Sequence, residues 1–145
     1  MSPLVCPLLV CLLFSFGCNQ RSKECQRFIG TVNKTLREID ARPQPPEDDV
    51  AAVAEHRQAL AEQYAALADD VSKLKLDEPA LVDRAKRYSG LAKAASVALT
   101  AGVQALRAGD PEAAEASQQQ FDGVAQQEAA LVREINDLCL KDAKP

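Results

Sequence analysis

Cysteine is the residue with the greatest chemical potential in this chain of 145 residues, which contains a single histidine, His56. Thiols form disulfides, bind metals or carry lipids, and their spacing separates these uses. The five cysteines are Cys6, Cys11, Cys18, Cys25 and Cys139. No two of them form a Cys-x-x-Cys pair, so the sequence lacks the short spacings of zinc knuckles and of haem attachment.

The first three cysteines belong to an uncharged apolar stretch, Met1 to Phe16, that closes on Gly17 and Cys18. A secretory leader has an apolar core followed by small residues, and Leu8 to Phe16 supply such a core. A stretch of about 17 residues is at the lower limit for crossing a bilayer. We therefore expect a cleaved leader, and an uncleaved membrane anchor remains the alternative.

This leader resembles the signal of bacterial lipoproteins, in the box Ser15-Phe16-Gly17-Cys18 and the polar residues that follow it. The resemblance implies a signal peptide over residues 1–17 and a lipidated Cys18 that carries acyl chains such as palmitate. It also implies a membrane-anchored protein on the periplasmic side of the bacterial cell envelope. By the family's sorting rule Asn19, which is not Asp, implies the outer membrane. An ordinary cleaved leader is the other possibility.

Cys25 and Cys139 remain, near opposite ends of the mature chain. In an oxidising compartment this spacing favours a disulfide that joins the two ends of the domain. The alternative is a pair of separate buried thiols that pack as small hydrophobic residues.

The mature part is predicted to be entirely helical, because alanine dominates, aromatics are 4% of the chain and apolar residues recur at steps of three and four. The prolines of residues 42–46 predict an extended connector after the first helix. The predicted helices are Arg21–Ala41, Asp49–Leu76, Pro79–Ala108 and a fourth that ends near Lys141. These elements predict an all-α, up-down-up-down antiparallel four-helix bundle over residues 25–145, with residues 18–24 as a lipid-anchored tether.

The short first helix makes a geometric prediction. At about 1.5 Å per residue, Cys25 lies roughly 22 Å below the end of the first helix, and Cys139 roughly 42 Å below the start of the fourth. A disulfide is then possible only if the proline connector climbs about 20 Å along the bundle, which seven extended residues at about 3 Å each can cover.

The predicted helices place five individual residues. Val50 is expected on the inner face of the second helix, and Phe28 beside the inner face of the first. Arg57 and Glu128 interrupt the seams of the second and fourth helices, and we expect both at the margin, where a long side chain reaches water. His56 is expected to be exposed.

The function predicted from these features is non-enzymatic. One histidine, no glycine-rich phosphate loop and no metal-ligand cluster give no basis for a catalytic site, a cofactor or a metal. The net charge is -4 and the basic residues are dispersed, so nucleic acid is not an expected partner. We expect a structural or accessory bundle that contacts an unknown envelope protein. The alternative is a small-molecule-binding or sensor bundle, with a cavity lined by Tyr64, Tyr88 and Phe121.

Overall fold

The computed structural model describes the backbone of residues 11–140 and the side chains of residues 20–140. It contains four helices: α1 (Cys11–Asp40), α2 (Val50–Ser72), α3 (Pro79–Ala108) and α4 (Pro111–Leu140). The predicted all-α bundle is confirmed, and residues 11–140 form no strand. No helix in this part of the chain is long and apolar enough to span a membrane. The predicted leader, residues 1–17, lies entirely outside the residues whose side chains are described.

Local sequence signals set most of the helix ends. The Asp49 carboxylate accepts a hydrogen bond from the Ala52 N–H (2.9 Å), which caps α2. Gly109 adopts a left-handed φ of 65°, and the next N–H, that of Asp110, reaches back to the Ala105 carbonyl at 3.0 Å. The Asp110 carboxylate then caps α4 by accepting from the Ala113 N–H at 3.0 Å.

Helix α2 ends at Ser72, earlier than the predicted Leu76. The apolar periodicity extends further than the helix because Leu74 and Leu76 still pack against the core from the turn. The turn can leave helical geometry because its backbone finds partners elsewhere: the Arg27 guanidinium of α1 donates to the Lys75 carbonyl at 2.8 Å.

Helix α3 is the centre of the bundle and packs against the other three helices, whereas α2 and α4 have no Cα atoms within 8 Å of each other in the described chain. Helices α2 and α4 are therefore the walls of a groove whose floor is α3, and we call this the α2–α4 groove. Helix α1 contacts α2, α3 and α4, so it lies along this groove as the fourth helix.

Helix α1 covers only part of the groove. Just after its end, the Arg42 guanidinium donates to the Gln63 amide oxygen at 2.7 Å. Gln63 is about 20 Å along α2 from Val50, at about 1.5 Å per residue. The connector therefore climbs back along α2 by the distance predicted from the sequence. We call the end of the bundle at the 73–78 turn the basal pole, and the end at Gly109 the distal pole.

The basal half holds the main hydrophobic core, in which four helices meet. Phe28 is 1% exposed, so it is a core residue and not the flanking residue expected from the sequence. Its ring meets that of Tyr88 edge to face, with centroids 5.8 Å apart. The other large, almost fully buried side chains of this core are Leu67, Val71, Leu81 and Leu131.

The distal half is a three-helix structure built around small residues. The prediction that Val50 faces the core is wrong: it is 53% exposed, because α1 ends before it reaches that level. Leu99 and Val103 are the larger buried residues here, and the others are small: Ala54, Ala61, Ala95, Ala98, Gly102, Ala105 and Ser117. Small side chains let α3 approach both α2 and α4 closely where no fourth helix fills the groove.

Gly102 shows how tight this contact is. A Cβ atom at this position would lie 2.8 Å from the Ser117 Oγ and 3.3 Å from an Arg57 guanidinium nitrogen. We expect Gly102→Ala to lower the free energy of unfolding by about 1 kcal/mol or more, because overpacking outweighs the higher helix propensity of alanine. Chemical denaturation monitored by circular dichroism measures the change.

Gly90 of the same helix is the matched control, since nothing lies within 4 Å of a Cβ atom built there. We expect Gly90→Ala to raise stability by about 0.5 to 1 kcal/mol. Equal effects of the two substitutions would contradict close packing at Gly102.

Candidate functional site

The two predicted cysteines meet at the basal pole. Cys25 of α1 and Cys139 of α4 are placed as a disulfide pair, with Cα atoms 5.8 Å apart and a sequence separation of 114 positions. Cys25 is 4% exposed and belongs to the core. The two cysteines thus lie at disulfide distance, as the predicted pairing requires, and the bond joins the first helix to the last.

The residue before Cys25 makes a second connection at this pole. One carboxylate oxygen of Glu24 accepts hydrogen bonds from the backbone N–H groups of Asp77 and Glu78, each at 3.0 Å. These groups precede the first turn of α3, and the Glu78 side chain makes no cap hydrogen bond itself. A side chain of α1 therefore caps α3, where the helix dipole favours negative charge.

Glu24 is only 3% exposed, and its environment favours the charged carboxylate. Burial alone would raise the pKa of Glu24. The hydrogen bonds from Glu78, Asp77 and Gln20, together with the charge of Arg27, outweigh burial and lower the pKa below the ordinary 4.5. Glu24 is thus a buried anion held by donors from both sides of the contact.

Further contacts continue this attachment toward the N-terminus. The Gln20 amide donates to the Asp77 carboxylate at 2.9 Å and to the Glu24 carboxylate at 3.2 Å. The Arg21 guanidinium lies 3.5 Å from the Glu78 carboxylate. Together with Arg27, these residues fix this segment of α1 against the 73–78 turn.

Cys18 lies two residues before Gln20, on the helical backbone of α1. Its side chain is outside the described residues, and its lipidation remains a prediction. The structure bears on the predicted tether, residues 18–24, in one respect: from Gln20 onward it is helical and docked on the bundle. An anchor at Cys18 would therefore join a fixed surface and not a free linker.

The three aromatic residues of the small-molecule hypothesis lie along the α2–α4 groove. Tyr64 and Phe121 stack edge to face across it, with centroids 5.9 Å apart. Tyr88 is 1% exposed and donates a hydrogen bond to the Glu128 carboxylate. Burial, and then the Glu128 carboxylate, raise the pKa values of both tyrosines. Each ring thus has a protein partner of its own.

A cleft of about 240 Å³ lies between α1 and α4, beside this row. Tyr88 and Phe28 form part of its lining, and the rest is mostly aliphatic, with Asn33 and Asn136 as polar members. Drug-sized ligands generally occupy pockets of about 300 Å³ or more. This cleft is therefore small for such a ligand.

The two charged residues that interrupt the seams have specific partners. Arg57 is half-buried, lies against Gly102 and donates to the Gln118 amide oxygen at 3.1 Å, which closes the groove beyond the end of α1. Glu128 accepts from Tyr88, as described. His56 is also half-buried and not exposed as expected.

Glu24 is the residue that sequence reasoning missed, since it was included in the polar tether. A cap supplied by another helix has no local signature, because the partners are more than 50 positions apart in sequence. The usable signal was indirect: Asp77-Glu78-Pro79 marks a helix start, and the predicted disulfide brings Cys25 to the same pole.

Among the described residues, no group of three or more His, Cys, Asp and Glu side chains is arranged to hold a metal ion. Comparison with protein families, curated proteins and solved structures finds no match to this chain.

The Glu24 cap predicts a specific loss of stability. We expect Glu24→Gln to lower the free energy of unfolding at neutral pH by about 1 to 3 kcal/mol, because two N–H groups at the start of α3 lose a charged acceptor. Urea denaturation measures this. Glu38→Gln, an exposed position on the same helix, is the control and should change stability by less than about 0.5 kcal/mol.

The same pair of variants gives a pH test. The folded-state pKa of Glu24 is lowered, so its contribution is fully present above the ordinary 4.5 and is lost as the pH falls through the folded value. The stability difference between wild type and Glu24→Gln should shrink over that acidic range. A difference that is constant with pH would contradict the role of the ionised carboxylate.

The disulfide predicts a second loss. A crosslink over a loop of this length stabilises by up to about 5 kcal/mol in the chain-entropy model. We expect the double variant Cys25→Ser with Cys139→Ser to lose a comparable amount in urea denaturation. Reductant should destabilise the wild type and leave the double variant unchanged. Equal sensitivity of both proteins to reductant would contradict the assignment.

Proposed function

We propose that this protein is a lipid-anchored helical bundle of the bacterial cell envelope, held at a membrane through Cys18 and facing the periplasm. Its role is structural or accessory, through contacts with another envelope protein. The outer membrane is the favoured location, from the resemblance of the leader and from Asn19.

One observation carries the proposal. The lipoprotein-like box ends at Cys18, and two residues later the chain is already docked on a domain closed by a disulfide. Disulfides persist in oxidising compartments such as the periplasm, to which a secretory leader would deliver the protein. The leader and the crosslink thus support the same location independently.

The shape of the bundle supports a role in contacts. Helix α3 has 30 residues, or about 45 Å at about 1.5 Å per residue, and runs from the basal to the distal pole. Because α1 is fixed to the 73–78 turn, an anchor at Cys18 would hold the basal pole at the membrane and the distal half away from it. The distal half is also where the groove lacks a fourth helix.

The small-molecule hypothesis has less support from this geometry. Tyr64, Tyr88 and Phe121 are engaged in ring contacts or hydrogen bonds within the protein. A ligand between them would have to displace these partners. A ligand-dependent rise in melting temperature would favour this alternative.

Metabolic labelling tests the anchor. We expect cells that express the full chain and receive an alkyne fatty acid to label the protein, and Cys18→Ser to abolish the label and release the protein from the membrane fraction. A thiol at this position is required because lipoprotein acylation begins on the cysteine sulfur.

Cys11→Ser is the matched control, since it removes a leader cysteine and should leave the label unchanged. Label that persists in Cys18→Ser, or a wild-type protein that takes up none, would refute the lipid anchor. If the label depends on Cys18, crosslinking in intact cells followed by isolation of the labelled protein identifies the partner.

A further inference from the structure

The basal pole carries an apolar cleft at the surface. It lies between the end of α2 and the start of α3, has a volume of about 230 Å³, and its aliphatic lining is Val71, Leu74, Leu76, Val82 and Ala85. Val82 is 45% exposed. Leu140, beside Cys139 at the end of α4, is 64% exposed. Large apolar side chains thus face solvent at the same end of the molecule.

We infer that the basal pole is a membrane-contact surface, which lies on the headgroup region of an anionic phospholipid bilayer with Val82 and the adjacent cleft against the lipid. This inference rests on the proposed function, which places Cys18 at the membrane. It goes further because it fixes which surface of the bundle touches the lipid.

The position of Cys18 identifies the lipid bilayer as the partner of this surface. Cys18 and Gln20 are two residues apart and can be separated by at most about 7 Å even when extended. Gln20 is hydrogen-bonded to Asp77 in the turn next to the cleft. If acyl chains on Cys18 are inserted in the bilayer, the short chain between Cys18 and Gln20 therefore keeps the basal pole close to the headgroups. Helix α4 also ends at this pole, at Leu140.

Exposed charges of both signs surround the cleft: Asp70 and Asp83 are the acidic groups, and two lysines are the groups with which anionic lipid can pair. Lys86 lines it, and Lys75 is exposed in the adjacent turn. Neither lysine forms an ion pair with a carboxylate in the described part of the chain. The acidic groups of the turn have other partners: Asp77 accepts from Gln20, and Glu78 pairs with Arg21. Lysines beside an apolar surface are typical of interfacial binding to acidic bilayers.

Tryptophan fluorescence tests the inference without background, because the chain contains no tryptophan. The full chain, expressed with its leader and purified with its anchor, is reconstituted into vesicles of phosphatidylcholine and phosphatidylglycerol that carry a brominated lipid quencher. Val82→Trp reports on the basal pole. Val97→Trp, at a site 62% exposed in the middle of α3, and Val50→Trp, at the distal end of α2, are the matched controls.

We expect the tryptophan at position 82 to be quenched at least twofold more than those at positions 97 and 50, and the difference to fall when phosphatidylglycerol is omitted. Equal quenching at the three positions, in protein that floats with the vesicles, overturns the contact surface and leaves the anchor intact. Quenching that does not respond to phosphatidylglycerol overturns the role of the lysines. Protein that does not float with the vesicles overturns both the anchor and the inference.

Folding of each variant is checked by its helical circular dichroism and its disulfide. Should Val82→Trp fail to fold, Leu140→Trp takes its place, since Leu140 is exposed at the same pole and lies outside the core. The expected and contradicting results are the same for this reporter.

Discussion

The contact between the Gln20–Arg27 segment of α1 and the 73–78 turn is the interaction on which the rest of the structure depends. Helix α1 has few contacts with the other helices, because it packs along only part of the α2–α4 groove. Its position is fixed by a buried carboxylate that caps α3 and by a covalent bond to α4. Hydrogen bonds to a charged acceptor are directional. The hydrogen bonds to Glu24 set the position of α1 along its own axis, and the disulfide prevents α1 from sliding or detaching.

This register explains the two halves of the bundle. Because Glu24 and Cys25 fix α1 at the basal pole, the length of helix from these residues to Asp40 decides where the four-helix core stops. Below that level large side chains such as Phe28 and Leu131 fill the centre. Above it the groove is closed by polar and aromatic pairs, Tyr64 with Phe121 and Arg57 with Gln118, over a floor of small residues.

Much of this fold follows from the sequence, because its determinants are local. The cap at Asp49, the left-handed Gly109 and the inner stripe of α3 are signals within a few residues of the positions they control. The disulfide was predictable because few pairings remained. Glu24 and Phe28 were misjudged for a common reason: their surroundings are set by other helices, at separations that periodicity does not encode. The end of α2 was misplaced because Leu74 and Leu76 keep the apolar pattern after the helix has stopped.

The arrangement also has a mechanical consequence for an anchored protein. With a long flexible tether, the orientation of a domain at a membrane is random, and a partner must be met by diffusion over a wide range of angles. Here the chain is docked from Gln20, and force along the N-terminus passes through Glu24 and the disulfide into α3 and α4. Pulling α1 away from α3 and α4 requires breaking both the hydrogen bonds to the Glu24 carboxylate and a covalent bond. The bundle would therefore keep one orientation, which limits the partner surface to the distal half and the sides of the helices.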